Sequence, residues 1–398
     1  MVTRLSIVWY PCAALVLALE AGLGIRYPTV PPAPHEFAAA ARHAQPQWRL
    51  SDRPLLRLGA TDGGPQEFSM VTSVLRWPSG EVVVALMGQA ELRVFAPDGR
   101  HPRTMGRKGR GPGEFPVLWQ AFRVGDALHG LDNAGITQVF TLDGQYRRTV
   151  PRISVEGQRL LRLGTFGDGS TLGTYYPDPL ANVPSGRTAY MAQVVRVKGD
   201  SQVRHARLPA GVLSRRGEET PMALAFGPRL HAAVFESHYC LGYSERFAIS
   251  CHDMNGRVIA EIRRTGDAPA RITEQDRQRY FAGMDKANPD PRAAEFRQQI
   301  RVITQFADGR PAFGSLVPSQ AGELWVSDFD ASEAIAGTLN PSPDEPLMWS
   351  VFSRDGRPLA NVRTPERFRL MDAGRDWIAG IERDADDVEQ VVVYGVMR

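Results

Sequence analysis

The front of the chain repeats itself: RLGATDGGPQEF from Arg57 aligns without a gap on TMGRKGRGPGEF from Thr104, with two glycines, Pro, Glu and Phe in common. The 47-residue offset is the length of one four-stranded antiparallel unit, so the echo predicts repeated blades set around an axis. A chain of 398 residues has room for two or three average domains, but radial repetition lets a single body take up such a length.

Four later segments share a pattern of apolar strand, tight corner and second strand. They are VFAPDGRHPRTM from Val94, VFTLDGQYRRTV from Val139, ISCHDMNGRVIAEI from Ile249 and VFSRDGRPLANV from Val351. Asp-Gly or Asn-Gly at each corner tolerates positive φ and suits a two-residue hairpin turn. Grouping the strands in fours gives blades at about 71–105, 118–150, 160–208, 231–263 and 311–363, and then three strands from residue 367 to the end. The missing fourth strand is residues 54–58, which precede the first copy of the echo as residues 101–105 precede the second. Pairing residues 54–58 with 388–396 closes the ring and removes the open edges that invite aggregation.

LDNAGITQVFTLDG from Leu131 and GRKGRGPGEF from Gly106 carry a family likeness: the chain resembles the six-bladed β-propellers related to NHL-repeat (TolB-like) proteins. The resemblance runs from about Trp48 to the C-terminus and is strongest in the first two blades. With the strand grouping it implies an all-β, six-bladed β-propeller over 47–398, closed by an N-terminal strand in the last blade. Such propellers include binding scaffolds, a lyase and lactone hydrolases, so the likeness bears on fold more than on activity. The lyases use metal-ligating histidines from several blades, whereas here blade two offers only His129 and blade five none. Lactonase-like members hold a divalent ion with Glu, Asn and Asp. The positions available for that role are Asp132, Asn133, Asp328, Asp330 and Glu382.

In an up-and-down blade, connections alternate between two faces. Those from first to second and from third to fourth strand are tight throughout, while the opposite face carries every long insertion: 177–188, 330–347 and 266–308. The last is helical over about 271–305, between blades four and five. Thr273 with Asp276 makes a capping box, Asp290-Pro291 sets a cap before a proline, and Phe296, Ile300 and Ile303 form one apolar stripe. The pair either covers a blade edge or forms a lid over the central mouth. The basic run Arg103, Arg107, Lys108, Arg110 lies on the same elaborated face, in a glycine-rich loop whose backbone N–H groups suit a carboxylate or phosphate. Solvated cations on a crossing loop are the plainer reading.

Arg4 followed by an apolar stretch from Leu5 to Leu19 reads as an export signal or a retained N-terminal anchor over 1–25, with a Pro- and Ala-rich linker over 26–46. An exported compartment favours disulfides. A corner at Glu245-Arg246 sets Cys240 opposite Cys251, and a one-residue slip would part them, so a bridge and two buried thiols both stand. His231, His238 and His252 share a blade without the spacing of a known metal site. A net charge of +3 gives no case for nucleic acid. The sequence reads as a non-catalytic, periplasmic or extracellular propeller, without a cofactor, that binds a ligand or protein through its elaborated face and is tethered to a membrane if the N-terminal segment is kept. The alternative is a metal-dependent hydrolase or lyase with its site in the central channel.

Overall fold

The computed structural model describes residues 35–38, 45–59, 64–101, 103–178, 183–217, 219–266, 270–287, 290–334 and 342–398. The expected signal or anchor lies outside them, and no helix among the described residues is long and apolar enough to cross a membrane.

The strands pair in antiparallel groups in chain order. The first sheet is Val71–Arg76, Val82–Leu86, Glu91–Phe95 and Arg103–Met105. The second is Leu118–Val124, Ala127–Asp132, Thr137–Thr141 and Tyr146–Val150. The third is led by Leu161–Thr165 and Thr171–Tyr175, the fourth runs from Leu230–Val234 to Val258–Thr265, and the fifth runs from Leu316–Pro318 to Pro358–Arg363. The sixth consists of Phe368–Ala373, Trp377–Arg383 and Glu389–Met397, and its fourth strand comes from the front of the chain: Leu56, Arg57 and Leu58 face Val393, Val392 and Val391. Val82–Leu86 is buried at every position, as a second strand must be when both its faces meet neighbouring sheets.

Both copies of the echo therefore follow a fourth strand and lead into a first one. They also build the same turn, Glu67 N–H donating to Gly64 O and Glu114 N–H to Gly111 O, each at 3.0 Å. Each ends in a phenylalanine that packs between two sheets. Phe68 joins the apolar cluster of the sixth and first sheets, and Phe115 that of the first and second. The four hairpin corners are one residue longer than the two-residue turn expected. Gly99, for example, donates its N–H to Ala96 O and takes φ 86°, so the glycine fills the left-handed position of a three-residue loop.

Three features were not legible beforehand. His35–Ala38, inside the expected linker, forms a strand parallel to Val258–Thr265. Gln47–Leu50 joins the fifth and sixth sheets, pairing with Asn361 and Val362 on one side and with Met397 and Val396 on the other. In the third sheet Gly186–Lys198 and Ser201–Arg215 form a long ribbon, so part of the expected 177–188 insertion is strand. Tyr175 pairs with Gln193, so the ribbon continues past its sheet on the elaborated side.

Helices α1 (Glu274–Ala287) and α2 (Ala294–Ile303) occupy the expected insert. The Thr273 hydroxyl accepts from Asp276 N–H while the Asp276 carboxylate accepts from Thr273 N–H, closing the capping box. The packing differs from the apolar stripe expected: Phe296 on α2 is exposed, and α1 supplies the contact through Tyr280, which joins Phe226, Phe306 and Phe329 in a satellite core. An ion pair from Arg187 to Asp308 ties the insert to the ribbon. Cys240 and Cys251 face each other across adjacent strands, 3.9 Å apart at Cα, and are joined as a disulfide.

Candidate functional site

A cavity of about 1000 Å³ runs between the first strands of the sheets. Its lining continues into the tight turns that follow those strands, at Trp77, Gly125, Gly167, Glu236 and Gln320. The cavity thus opens on the face opposite the long insertions. Neither helix lines it, so the insert covers the elaborated face and is not a lid over this opening.

The channel wall mixes polar and apolar side chains and carries cations, with Arg76, Arg123, Arg162, Arg354 and Arg369 against Glu236, Glu323 and Asp372. Several of these arginines rest on aromatic rings, Arg76 on Trp377 at 4.9 Å and Arg123 on Trp77 at 5.7 Å. Such stacking holds a guanidinium in place while leaving its edge free to hydrogen-bond. Glu323 is held by Arg398, so its charge is balanced within the protein.

Asp372 is the unusual group. It is buried where its first strand bulges, and its carboxylate accepts from Arg76 N–H at 2.8 Å, Gln320 Nε2 at 2.9 Å and Ala373 N–H at 2.9 Å. Burial outweighs these bonds and pushes its acid up to about 7. An unfolded aspartate ionises near 4. The native state therefore holds the extra proton between those values, and its stability falls as pH rises from about 4 to about 7. Asp372→Asn is expected to melt higher than the wild type at pH 8 by the equivalent of about 1–2 kcal/mol, and to show no gain at pH 4. Thermal melts of both proteins at each pH check this; a gain that is the same at both pH values would refute it. Burial pushes His231 and His238 down to about 4, an effect of opposite sign that is common to both proteins and cancels in the comparison.

The residues singled out from sequence are dispersed. Arg107 pairs with Glu114 at 2.7 Å, and Glu114 also accepts from Gly111 N–H at 2.8 Å. The glycine-rich loop thus already holds an anion, the chain's own carboxylate. Side chains on Gly109 or Gly111 would crowd Glu114, which accounts for those glycines without a ligand. Lys108 bridges to Phe115 through the backbone, and Arg110 is exposed. Asp132 is buried and accepts from Ile136 N–H at 2.7 Å, as a turn former does, and Asn133 beside it is exposed. Glu382 accepts from Arg57 and from the Tyr394 hydroxyl, both at 2.8 Å. Asp328 and Asp330 alone share a cavity, of about 340 Å³ beside Asp276 and Arg310, and Asp330 is bonded to Ser332. None of the eight lines the channel.

The three histidines of the fourth sheet are packed against rings, His231 on Phe313, His238 on Phe235 and His252 on Tyr239. Among the described residues no three His, Cys, Asp or Glu side chains gather at one point. Sequence reading passed over Asp372 and the channel arginines. Their strands alternate like any half-buried strand, and which of their faces points to the axis is set by sheets far away in the chain.

No known family profile matches the chain, and no curated protein matches it. Among solved structures, a member of the DUF4221 family from Bacteroides vulgatus is similar with a TM-score of 0.53 and 9% identity, over 89% of this chain and 99% of that one. Virginiamycin B lyase from Staphylococcus aureus gives 0.40 at 8% identity over 86% and 98% of the two chains. A calcium-binding protein, regucalcin, from Agrobacterium tumefaciens gives 0.41 at 9% over 88% and 96%. At such identities the likeness speaks for fold alone, and with 51% strand, 8% helix and curled sheets among its described residues the chain has a β-propeller-like fold.

Proposed function

We propose that the protein is an exported six-bladed propeller of the NHL-related kind that binds a small ligand in its central channel without transforming it. The ring closes through Leu56–Leu58 in the sixth blade, the first 25 residues serve as signal or anchor, and the protein acts in the periplasm or outside the cell. The observation carrying the reading is the open, arginine-bearing channel, whose cations outnumber its carboxylates and so suit a ligand with negative charge. The sequence had favoured the elaborated face. There the candidate charges are mostly bonded to other groups of the chain, and the helical insert packs with neighbouring loops into a satellite core.

Asp372 favours a second reading. A channel carboxyl titrating near neutrality is what a hydrolase or lyase needs in a general acid, working with a divalent ion. The two readings part on one experiment. The purified protein is titrated by calorimetry with citrate, and in parallel is offered lactones and phosphoesters with Ca²⁺, Mg²⁺ or Zn²⁺. Saturable citrate binding, weakened at least tenfold by Arg354→Glu, with no turnover, is the expected result. Ion-dependent turnover abolished by Asp372→Asn would overturn it.

A further inference from the structure

Apolar clusters weld neighbouring sheets together at five junctions: sixth to first, first to second, third to fourth, fourth to fifth, and fifth to sixth. Among the described residues no such cluster joins the second sheet to the third. The short hairpin of Ser154–Val155 and Gln158–Arg159 follows the second sheet, and its apolar side packs with the third through Val155, Leu160 and Tyr175. What remains at the junction is a cleft of about 670 Å³.

The lining of this cleft is unlike the other junctions. It includes Arg147, Arg148, Arg152, Arg159 and Arg162, with Asp126 as its one carboxylate. Among the described residues none of the five arginines is ion-paired, though Arg147 is near enough to Asp143 to lower that carboxyl. Arg162 is the anchor. Its guanidinium carbon lies 3.3 Å from the centroid of the Phe122 ring, and its hydrogen bonds go to neutral oxygens, Gln120 Oε1 at 2.9 Å and Thr165 Oγ1 at 3.0 Å. Nη2 has no partner among the described residues. His129 stands next to the same Phe122 ring, 5.0 Å between centroids, and is kept neutral by burial and by the positive charges of Arg162 and Arg148.

Exposed arginines are commonly solvated, and four of these five are exposed. Solvation does not account for a junction that forgoes the apolar packing used at the other five, nor for the half-buried Arg162 held flat on Phe122 with no counter-ion among the described residues. A cation that is partly withdrawn from water gains from an anionic partner, because water no longer balances its charge in full. An anion entering from outside would supply the missing charge. The cleft is of the size that encloses a small organic molecule, and Phe122 and Leu161, with Trp119 exposed alongside, offer it an apolar wall.

We propose that the cleft between the second and third sheets binds a small amphiphilic anion, one carrying a carboxylate, sulfonate or phosphate on an aromatic or alicyclic body. The anionic group meets Arg162 and Arg148, and the ring lies against Phe122 and Leu161. The cleft adjoins the channel and shares Gln120, Phe122, Val124, Arg162 and Thr165 with its wall, while Arg147, Arg148, Arg152 and Arg159 belong to the cleft and Arg354 to the channel.

The probe is 8-anilinonaphthalene-1-sulfonate, titrated by fluorescence into the full chain. Its uncharged parent, N-phenyl-1-naphthylamine, serves as control. One saturable equivalent of the sulfonate is expected, with binding at least tenfold weaker for the uncharged parent and falling as salt is raised. Arg148→Glu, on an exposed outer strand, is expected to weaken the sulfonate at least tenfold with an unchanged melting curve, and Arg159→Glu to weaken it likewise. Arg354→Glu, which alters the channel rim alone, is expected to leave it unchanged. Equal binding of the charged and uncharged probes, wild-type affinity in both Arg148→Glu and Arg159→Glu, or loss in Arg354→Glu alone would overturn the proposal. The last of these outcomes would place the anion in the channel and so leave the channel reading standing.

Discussion

A chain lacking residues 1–58 is expected to lose its single cooperative unfolding transition, whereas one lacking residues 1–44 keeps it at a lower midpoint. The two strands that only the first truncation removes, Gln47–Leu50 and Leu56–Leu58, are short, but both pair with the last strand of the chain and the second closes the ring. Leu58 is buried in the cluster that joins the sixth and first sheets, and its strand covers Val391–Val393. Two further backbone bonds, Leu55 N–H to Val393 O at 2.7 Å and Ser51 N–H to Gly395 O at 2.9 Å, extend the closure. Losing Leu58 alone costs about 2–5 kcal/mol, against a total stability of about 5–15 kcal/mol for a typical domain. Truncation also bares the edge of Glu389–Met397, a ready template for intermolecular pairing. The shorter truncation removes His35–Ala38 and with it Phe37, which packs on Phe247 at the margin of the fourth sheet. Calorimetry with light scattering distinguishes the two. A chain of residues 59–398 that melts sharply at the wild-type midpoint would show that the ring does not need its closing strand.

Phe115→Ala is expected to destabilise the protein by about 3–5 kcal/mol, the range for deleting a large buried ring. Phe115 is fully buried and packs with Trp77, Leu118 and Phe140 between the first and second sheets. Two glycines make room for it: a Cβ on Gly106 would come within 2.6 Å of the ring, and one on Gly130 would overlap it. Gly130→Ala in the intact protein is therefore expected to destabilise as well. In the Phe115→Ala background the same change should be nearly neutral, because the space it needs has been vacated. Denaturant titration of the two single variants and the double variant measures the coupling. Additive effects would mean that the glycine serves something other than this ring.

Much of the fold was legible because local chemistry fixed it. The echo, the four Asp-Gly or Asn-Gly corners and the Thr273 capping box each act over a few residues, and the structure places strands, loops and α1 accordingly. The opposed cysteines were legible as an alternative, since the register depends on one corner. The apolar stripe on α2 misled, because the aromatic group formed by Phe226, Phe306 and Phe329 packs on α1 through Tyr280 and leaves Phe296 of α2 exposed.

The candidate site was far less legible. Charged residues near conspicuous loops drew attention, and most proved to bond locally: Arg107 to Glu114, Asp132 to the backbone of Ile136, Asp330 to Ser332. Asp372, Arg76, Arg123 and Arg162 carry no motif. They become neighbours because first strands separated by dozens of residues converge on one axis.

Repeated antiparallel strands, the places of their corners and the pairing of residues 54–58 with the far end are all written in the linear chain. Turn chemistry and strand alternation are short-range and survive in the linear order of residues. Which end of the channel is open, which carboxyl burial forces toward neutrality and which junction between sheets is left unfilled emerge once the sheets are assembled. Those properties depend on what surrounds a side chain from several sheets at once, and desolvation and cavity shape have no counterpart in any single stretch of sequence.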